Sequence, residues 1–129
     1  VKVYEITRST SGQIGVLVKA DNRNATLLKH CNLHSPDGFE TGYSGSGPAD
    51  LAVSILADYF GVEPKRVENV YKKAWSLEDN HASRAIHLHH LFKAHFIAPR
   101  KLEKGQSYKI SGHEISTWLV HLKNDTPAA

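Results

Sequence analysis

The chain has 129 residues, 40% of them apolar, which is enough for one hydrophobic core and too little for two. Its apolar runs fall short of the ~18 residues of a membrane span. No succession of charged, apolar and small residues marks a secretory leader, so a single soluble, cytoplasmic domain over 1–129 is expected, without membrane contact and with a flexible tail from about 124. The formal charge of +3 is unevenly placed: residues 62–109 carry ten basic and five acidic side chains, 1–61 five and six, 110–129 one and two. One cysteine, Cys31, excludes an internal disulfide framework and fits a reducing compartment.

The opening "VKVYEITR" alternates as a strand does, and "STSG" supplies turn residues. "QIGVLVKA" puts Ile14, Val16 and Val18 on one face at period two. "DNRN" is a second turn, because Asp and Asn tolerate positive φ, and "ATLLKHC" reads as a third strand, completing an antiparallel meander over 1–31. A glycine-rich loop follows. Leu51, Ile55, Leu56 and Tyr59 then recur at helical spacing, from a first helical position at Pro48 to a stop at Gly61. Pro64 opens another helix with an apolar stripe at Val67, Val70, Tyr71, Ala74 and Trp75, broken by "SLEDN". In "HASRAIHLHHLFKAHFIAPRK" a helix is expected to about Leu91. Phe92, Ala94, Phe96 and Ala98 then alternate with Lys93, His95 and Ile97, which predicts a fourth strand near 92–98, ended by Pro99. "SYKI" is a candidate short strand, and Ser111 with Glu114 makes a capping box for a last helix with a stripe at Ile115, Trp118, Leu119 and Leu122. Strands and helices are segregated, so the expected fold is α+β, with helices packed on one face of an antiparallel sheet of about four strands.

The stretch "HSPDGFETGYSGSGPADLAVSIL", of pattern HSPDGFxxGYxGSGPADLAxxIL, resembles the signature of a small domain family of unknown function found in bacterial, phage and other mobile-element genomes. "HHLFKAHFIA" followed by "ISGHEISTWL" is similar to the C-terminal half of the same family. The resemblance implies no reaction, ligand or catalytic set. A mobile-element setting is compatible with a defence, counter-defence or regulatory role.

Residues 34–50 hold four glycines, two prolines and three serines. Gly42, Gly45 and Gly47 could converge backbone N–H groups on a phosphate ahead of a helix, but a phosphate loop needs Lys-Ser/Thr where this chain has Pro48, Ala49 and Asp50. Asp50 in a first turn would complement the helix dipole itself and repel an anion. As a connector, the loop has turns at Asp37-Gly38 and Ser44-Gly45, a cap at Ser46 or Gly47, and the rings of Phe39 and Tyr43 to pin it. Loops this long are often functional, and His34, Ser35, Asp37, Glu40, Tyr43, Ser44 and Ser46 form a set able to recognise a ligand.

"HCNLH" groups His30, Cys31 and His34, with no zinc-module spacing. Five histidines fall between 81 and 95, where His87 and His90 share a helix face but no pair has the i, i+4 spacing of helical zinc pairs. His89 and His90 are expected near a helix C-terminus, where the carbonyl dipole favours protonation. No metal or other cofactor is expected, and no catalytic residue is assigned. A triad of His34 or His90, Asp37, and Ser44 or Ser46 lacks supporting spacing, and "GYSGSG" misses the nucleophile-elbow pattern. Lys65, Arg66, Lys72 and Lys73, with Arg100, Lys101 and Lys104, could grip nucleic-acid phosphates.

The expectation is a non-enzymatic binding or accessory domain, self-associating as a homodimer, that recognises a small ligand or a protein partner. Its surface is the 34–47 loop with His89, His90 and Lys93. The alternatives are a small hydrolase or nucleotide-modifying enzyme using the same loop with His34 or His90, and a weak nucleic-acid binder using the basic 62–109 segment.

Overall fold

The computed structural model describes residues 2–21, 23–73 and 80–125. Four antiparallel strands, β1 (Val3–Arg8), β2 (Ile14–Lys19), β3 (Thr26–Leu27) and β4 (Ser107–Ser111), form one sheet in the order β3-β2-β1-β4. Register places Tyr4 opposite Val18 and Ile110, and Ile6 opposite Val16 and Tyr108. Period-two alternation therefore sends one apolar row from three strands to the same face, and Tyr4, Ile6, Val16, Val18 and Ile110 are buried there. On the opposite face Glu5 pairs with Lys19 at 3.0 Å and lies 3.9 Å from Lys109.

Helices α1 (Ser46–Phe60), α2 (Pro64–Lys72), α3 (Asn80–Phe92) and α4 (Gly112–Asp125) complete the α+β fold. Every residue of α1 from Gly47 to Ala57 is buried, which requires a helix that is apolar nearly all round. It packs against α2 and α3 and ends at Gly61, whose φ of 73° is the left-handed turn that glycine adopts freely. The capping box is formed as its spacing predicts: Glu114 N donates to Ser111 Oγ at 3.0 Å and Ser111 N to Glu114 Oε1 at 3.1 Å. The expected stripe residues Ala74 and Trp75, most of "SLEDN", Asn22 and the last four residues lie outside the described residues.

Two expected strands need correction. Residues 92–98 are not a strand: α3 continues through a π-helical turn over Lys93–Ile97, closed by Ala98 N donating to Lys93 O at 2.8 Å. Phe92 and Phe96 are four apart, so the pair that reads as alternation also shares one helix face, and both rings are buried there. "SYKI" supplies the fourth strand instead, with Tyr108 and Ile110 facing inward. The third strand is also shorter than 25–31. After Leu28, whose N donates to Val16 O at 2.9 Å, the chain leaves the sheet and crosses to α1, where Cys31 N donates to Ser54 Oγ at 2.8 Å. The Cys31 donor that a longer strand would have spent on the sheet is spent on α1.

Candidate ligand site at the loop and helix α3

Asp50 organises the loop. Its carboxylate is fully buried, and each oxygen receives two donors: Oδ1 accepts from Leu33 N at 3.2 Å and His34 N at 2.9 Å, Oδ2 from Ser35 N at 3.0 Å and His30 Nε2 at 2.9 Å. Three successive N–H groups thus form an anion cradle, filled by the protein's own carboxylate. A buried carboxylate is tolerated because its hydrogen-bonding capacity is satisfied. This corrects the expectation that Asp50 is a first-turn dipole partner: α1 begins at Ser46, with Gly45 as an N-cap without a side-chain bond, and no acidic residue lies in its first turn. Neither Ser46 nor Gly47 serves as the cap. The phosphate reading weakens further at Gly47, where an added Cβ would come within 2.8 Å of Glu40 Cβ. The Glu40 carboxylate is held there by Arg8 Nη2 at 2.7 Å, which keeps its carboxyl below the usual range.

The far arm of the loop is tied to the end of the π turn. Gly42 N donates to Ile97 O at 3.1 Å. The Thr41 hydroxyl lies 3.0 Å from Ile97 O and 2.8 Å from Arg100 O while accepting from Tyr108 at 2.7 Å. These contacts satisfy carbonyls that the helix end leaves open. Gly42 has φ +91°, and an added Cβ would come 2.8 Å from Lys101 Cα. Gly42→Ala is therefore expected to lower the unfolding free energy by about 1–3 kcal/mol in urea titrations. Of the two rings expected to pin the loop, Phe39 does so, packing edge-on to His30 at 4.8 Å and against the core. Tyr43 does not: it lies over Gly45 and is 52% exposed.

His34, fixed through its backbone on Asp50, brings its ring onto α3. His34 Nε2 lies 3.0 Å from His89 Nε2, and the His34 and His90 ring centroids are 5.7 Å apart. Among the described residues His34, His89 and His90 offer ligand atoms all within 4.8 Å of one another. His89 Nδ1 faces the carbonyl of Ile86, which can only accept, so the proton of the neutral ring sits on Nδ1 and His34 Nε2–H donates to His89 Nε2. Lys93 Nζ approaches His90 Nδ1 at 3.4 Å.

His89 and His90 lie in the last turn of α3, as expected, but the π turn continues the helical path and the protonation expected there is not favoured. His89 is buried, and burial depresses its pKa to about 4, so the ring is neutral at ordinary pH. Partial burial and the Lys93 ammonium also hold His90 below its usual value. Cys31 takes no part: its thiol donates to Pro64 O at 3.7 Å, and burial pushes its pKa up to about 12.

Of the expected ligand set, the structure brings His34, His89, His90 and Lys93 together, with Ser35 next to them on the Asp50 carboxylate. Asp37, Tyr43, Ser44 and Ser46 are exposed, the last three on the arm beyond the Gly42–Ile97 bond, and none of them joins the histidine cluster. Among the described residues no hydrogen bond joins Asp37, Ser44 or Ser46 to His34 or His90: His34 Nε2 meets His89, and Asp50 is the carboxylate bonded to a histidine, His30. Lys65, Arg66, Lys72 and Lys73 are exposed on α2 and just past its end. Sequence reasoning missed Asp50 as the anchor. The available signal was one charged residue in the otherwise uncharged, mostly apolar run "PADLAVSILA".

The architecture is that of an α+β domain whose long loop is clamped between a central helix and the histidine face of a neighbouring one. The chain matches DUF6166, a family of unknown function, over residues 4–121 and belongs to that family. No curated protein and no solved structure matches it. Among the described residues no helix is long and apolar enough to cross a membrane.

Proposed function

We propose that the domain is a non-enzymatic binding module, and that its recognition surface is the junction of the 34–47 loop with α3, centred on His34, His89, His90 and Lys93. The observation that carries this reading is the Asp50 carboxylate with its four donors, which holds the loop from within while the His90 and Lys93 edge of the junction faces solvent. Such preorganisation lowers the entropic cost of binding. Asp37, Tyr43, Ser44 and Ser46 extend the surface along the loop. An accessory role in a phage or mobile-element setting goes with this reading, on the strength of the signature alone. So does self-association, for which Leu91 on α3 and Val120 on α4 leave large apolar side chains 52% and 57% exposed.

Thermal melts in EDTA against nucleotides, sugar phosphates, small carboxylates and short oligonucleotides test the reading. One ligand class is expected to raise Tm selectively, since a ligand at a hundred times its Kd adds about 2.7 kcal/mol, and the rise should vanish in Lys93→Ala. A flat response across the panel overturns it. A response confined to oligonucleotides that weakens steeply with salt and is lost in Lys72→Ala moves the surface to α2.

A further inference from the structure

We infer that His34, His89 and His90 form a site for one divalent transition-metal ion, of the borderline class of zinc, cobalt, nickel and copper. The inference rests on the junction being the recognition surface and names a ligand for it.

The donor set is three imidazoles, which suits these ions and not calcium or magnesium. The ligands come from two independently fixed elements: His34 from a loop locked on Asp50, His89 and His90 from consecutive positions of α3. A tetrahedral ion with Zn–N of 2.0–2.1 Å sets its nitrogens about 3.3 Å apart. The His34–His89 pair, at 3.0 Å, is within a few tenths of an ångström of that spacing, and His90 lies inside the 4.8 Å cluster with an exposed ring free to close the distance. His89 also has the supporting bond that metal-bound histidines carry: its Nδ1–H points at the Ile86 carbonyl, so the Nε2 lone pair is aimed at the cluster. Without an ion, that lone pair accepts the proton of His34 Nε2. An ion would take the place of this proton, which moves to Nδ1 of His34 as the neutral ring changes tautomer.

Burial grades from His89 through His34 to His90, which faces solvent. Three protein ligands would hold the ion and leave its remaining position open, the pattern of an exchangeable site and not of a closed structural one. The Lys93 ammonium, 3.4 Å from His90 Nδ1, is the neighbour that opposes a cation, and its long side chain can turn to solvent.

The test uses the tag-free full chain, stripped with EDTA and exchanged into chelator-free buffer, titrated with Zn²⁺ by calorimetry and with Co²⁺ by visible absorption. One ion per chain is expected, with d–d bands from Co²⁺ in a nitrogen-rich site. His90→Ala, at an exposed position that keeps the fold by circular dichroism, should weaken binding at least about a hundredfold. His113→Ala, on α4 and outside the cluster, should leave binding unchanged. Absence of stoichiometric binding, or equal affinity in the wild type and His90→Ala, overturns the inference. A hit in the EDTA panel with no metal response removes the ion and leaves the recognition surface standing. Stoichiometric metal binding with a flat panel, both in EDTA and with the ion loaded, removes recognition of a further ligand and leaves the ion site standing.

Discussion

Asp50→Ala is expected to lower the unfolding free energy by about 3–5 kcal/mol in denaturant titrations, the usual scale for removing one side of a buried charged network. The substitution strands the N–H groups of Leu33, His34 and Ser35 and the His30 ring, which together supply the four donors to the carboxylate. Each buried donor left unpaired costs about 1–3 kcal/mol, and relaxation of the loop toward water recovers part of the total. For a domain of ordinary stability, 5–15 kcal/mol, this is a large fraction of the whole. Asp50→Asn keeps the volume but replaces one acceptor oxygen with a donor, and should fall between the alanine variant and the wild type. A loss under about 1 kcal/mol for the alanine variant would mean that the carboxylate does not hold the loop.

The second large effect depends on pH. The His89 ring has an ordinary value of 6.5 and is depressed by burial to about 4 in the folded chain. Above pH 6.5 the ring is neutral in both states and contributes no slope. As pH falls from 6.5 to about 4, the unfolded chain binds a proton that the folded chain refuses, so stability declines. Below that window both states are protonated and the decline levels off, after a loss of about 3 kcal/mol. Glu40, whose carboxyl is held low by Arg8, adds a loss of its own at the acid end. Subtracting the pH profile of a His89→Gln variant, measured in EDTA, isolates the histidine contribution. Superimposable profiles for the two proteins would mean that the ring is hydrated in the folded state.

The first two strands were legible because their signal is local. Tyr4, Ile6, Val16 and Val18 alternate in short runs bounded by turn residues, and every one of them is buried. The Ser111–Glu114 box was legible for the same reason, since both partners lie within one turn. Phe92 and Phe96 were ambiguous because a spacing of four satisfies both a strand face and a helix face; the helix wins through burial of Ile97 and the carbonyl contacts of Thr41 and Gly42, which only tertiary structure supplies. The site was half legible. The composition of the loop marked a candidate surface, and of its expected residues the structure brings His34, His89, His90 and Lys93 together. That His34 meets His89 is a contact across 55 positions with no periodicity behind it.

The strand order joins the two ends of the fold, since Tyr4 pairs with Ile110 and Gly112 N donates to Lys2 O at 2.6 Å. The loop, by contrast, closes on Asp50 over at most 20 positions. Assembly is therefore expected in two stages. The 30–50 segment can form its cradle soon after it is made, because short closures cost little entropy. The β1–β4 pairing is a long closure that sets the slow step. Until residues 107–111 arrive, β1 presents an unpaired edge, so during synthesis the sheet is the vulnerable part of this domain and the Asp50 cradle the secure one.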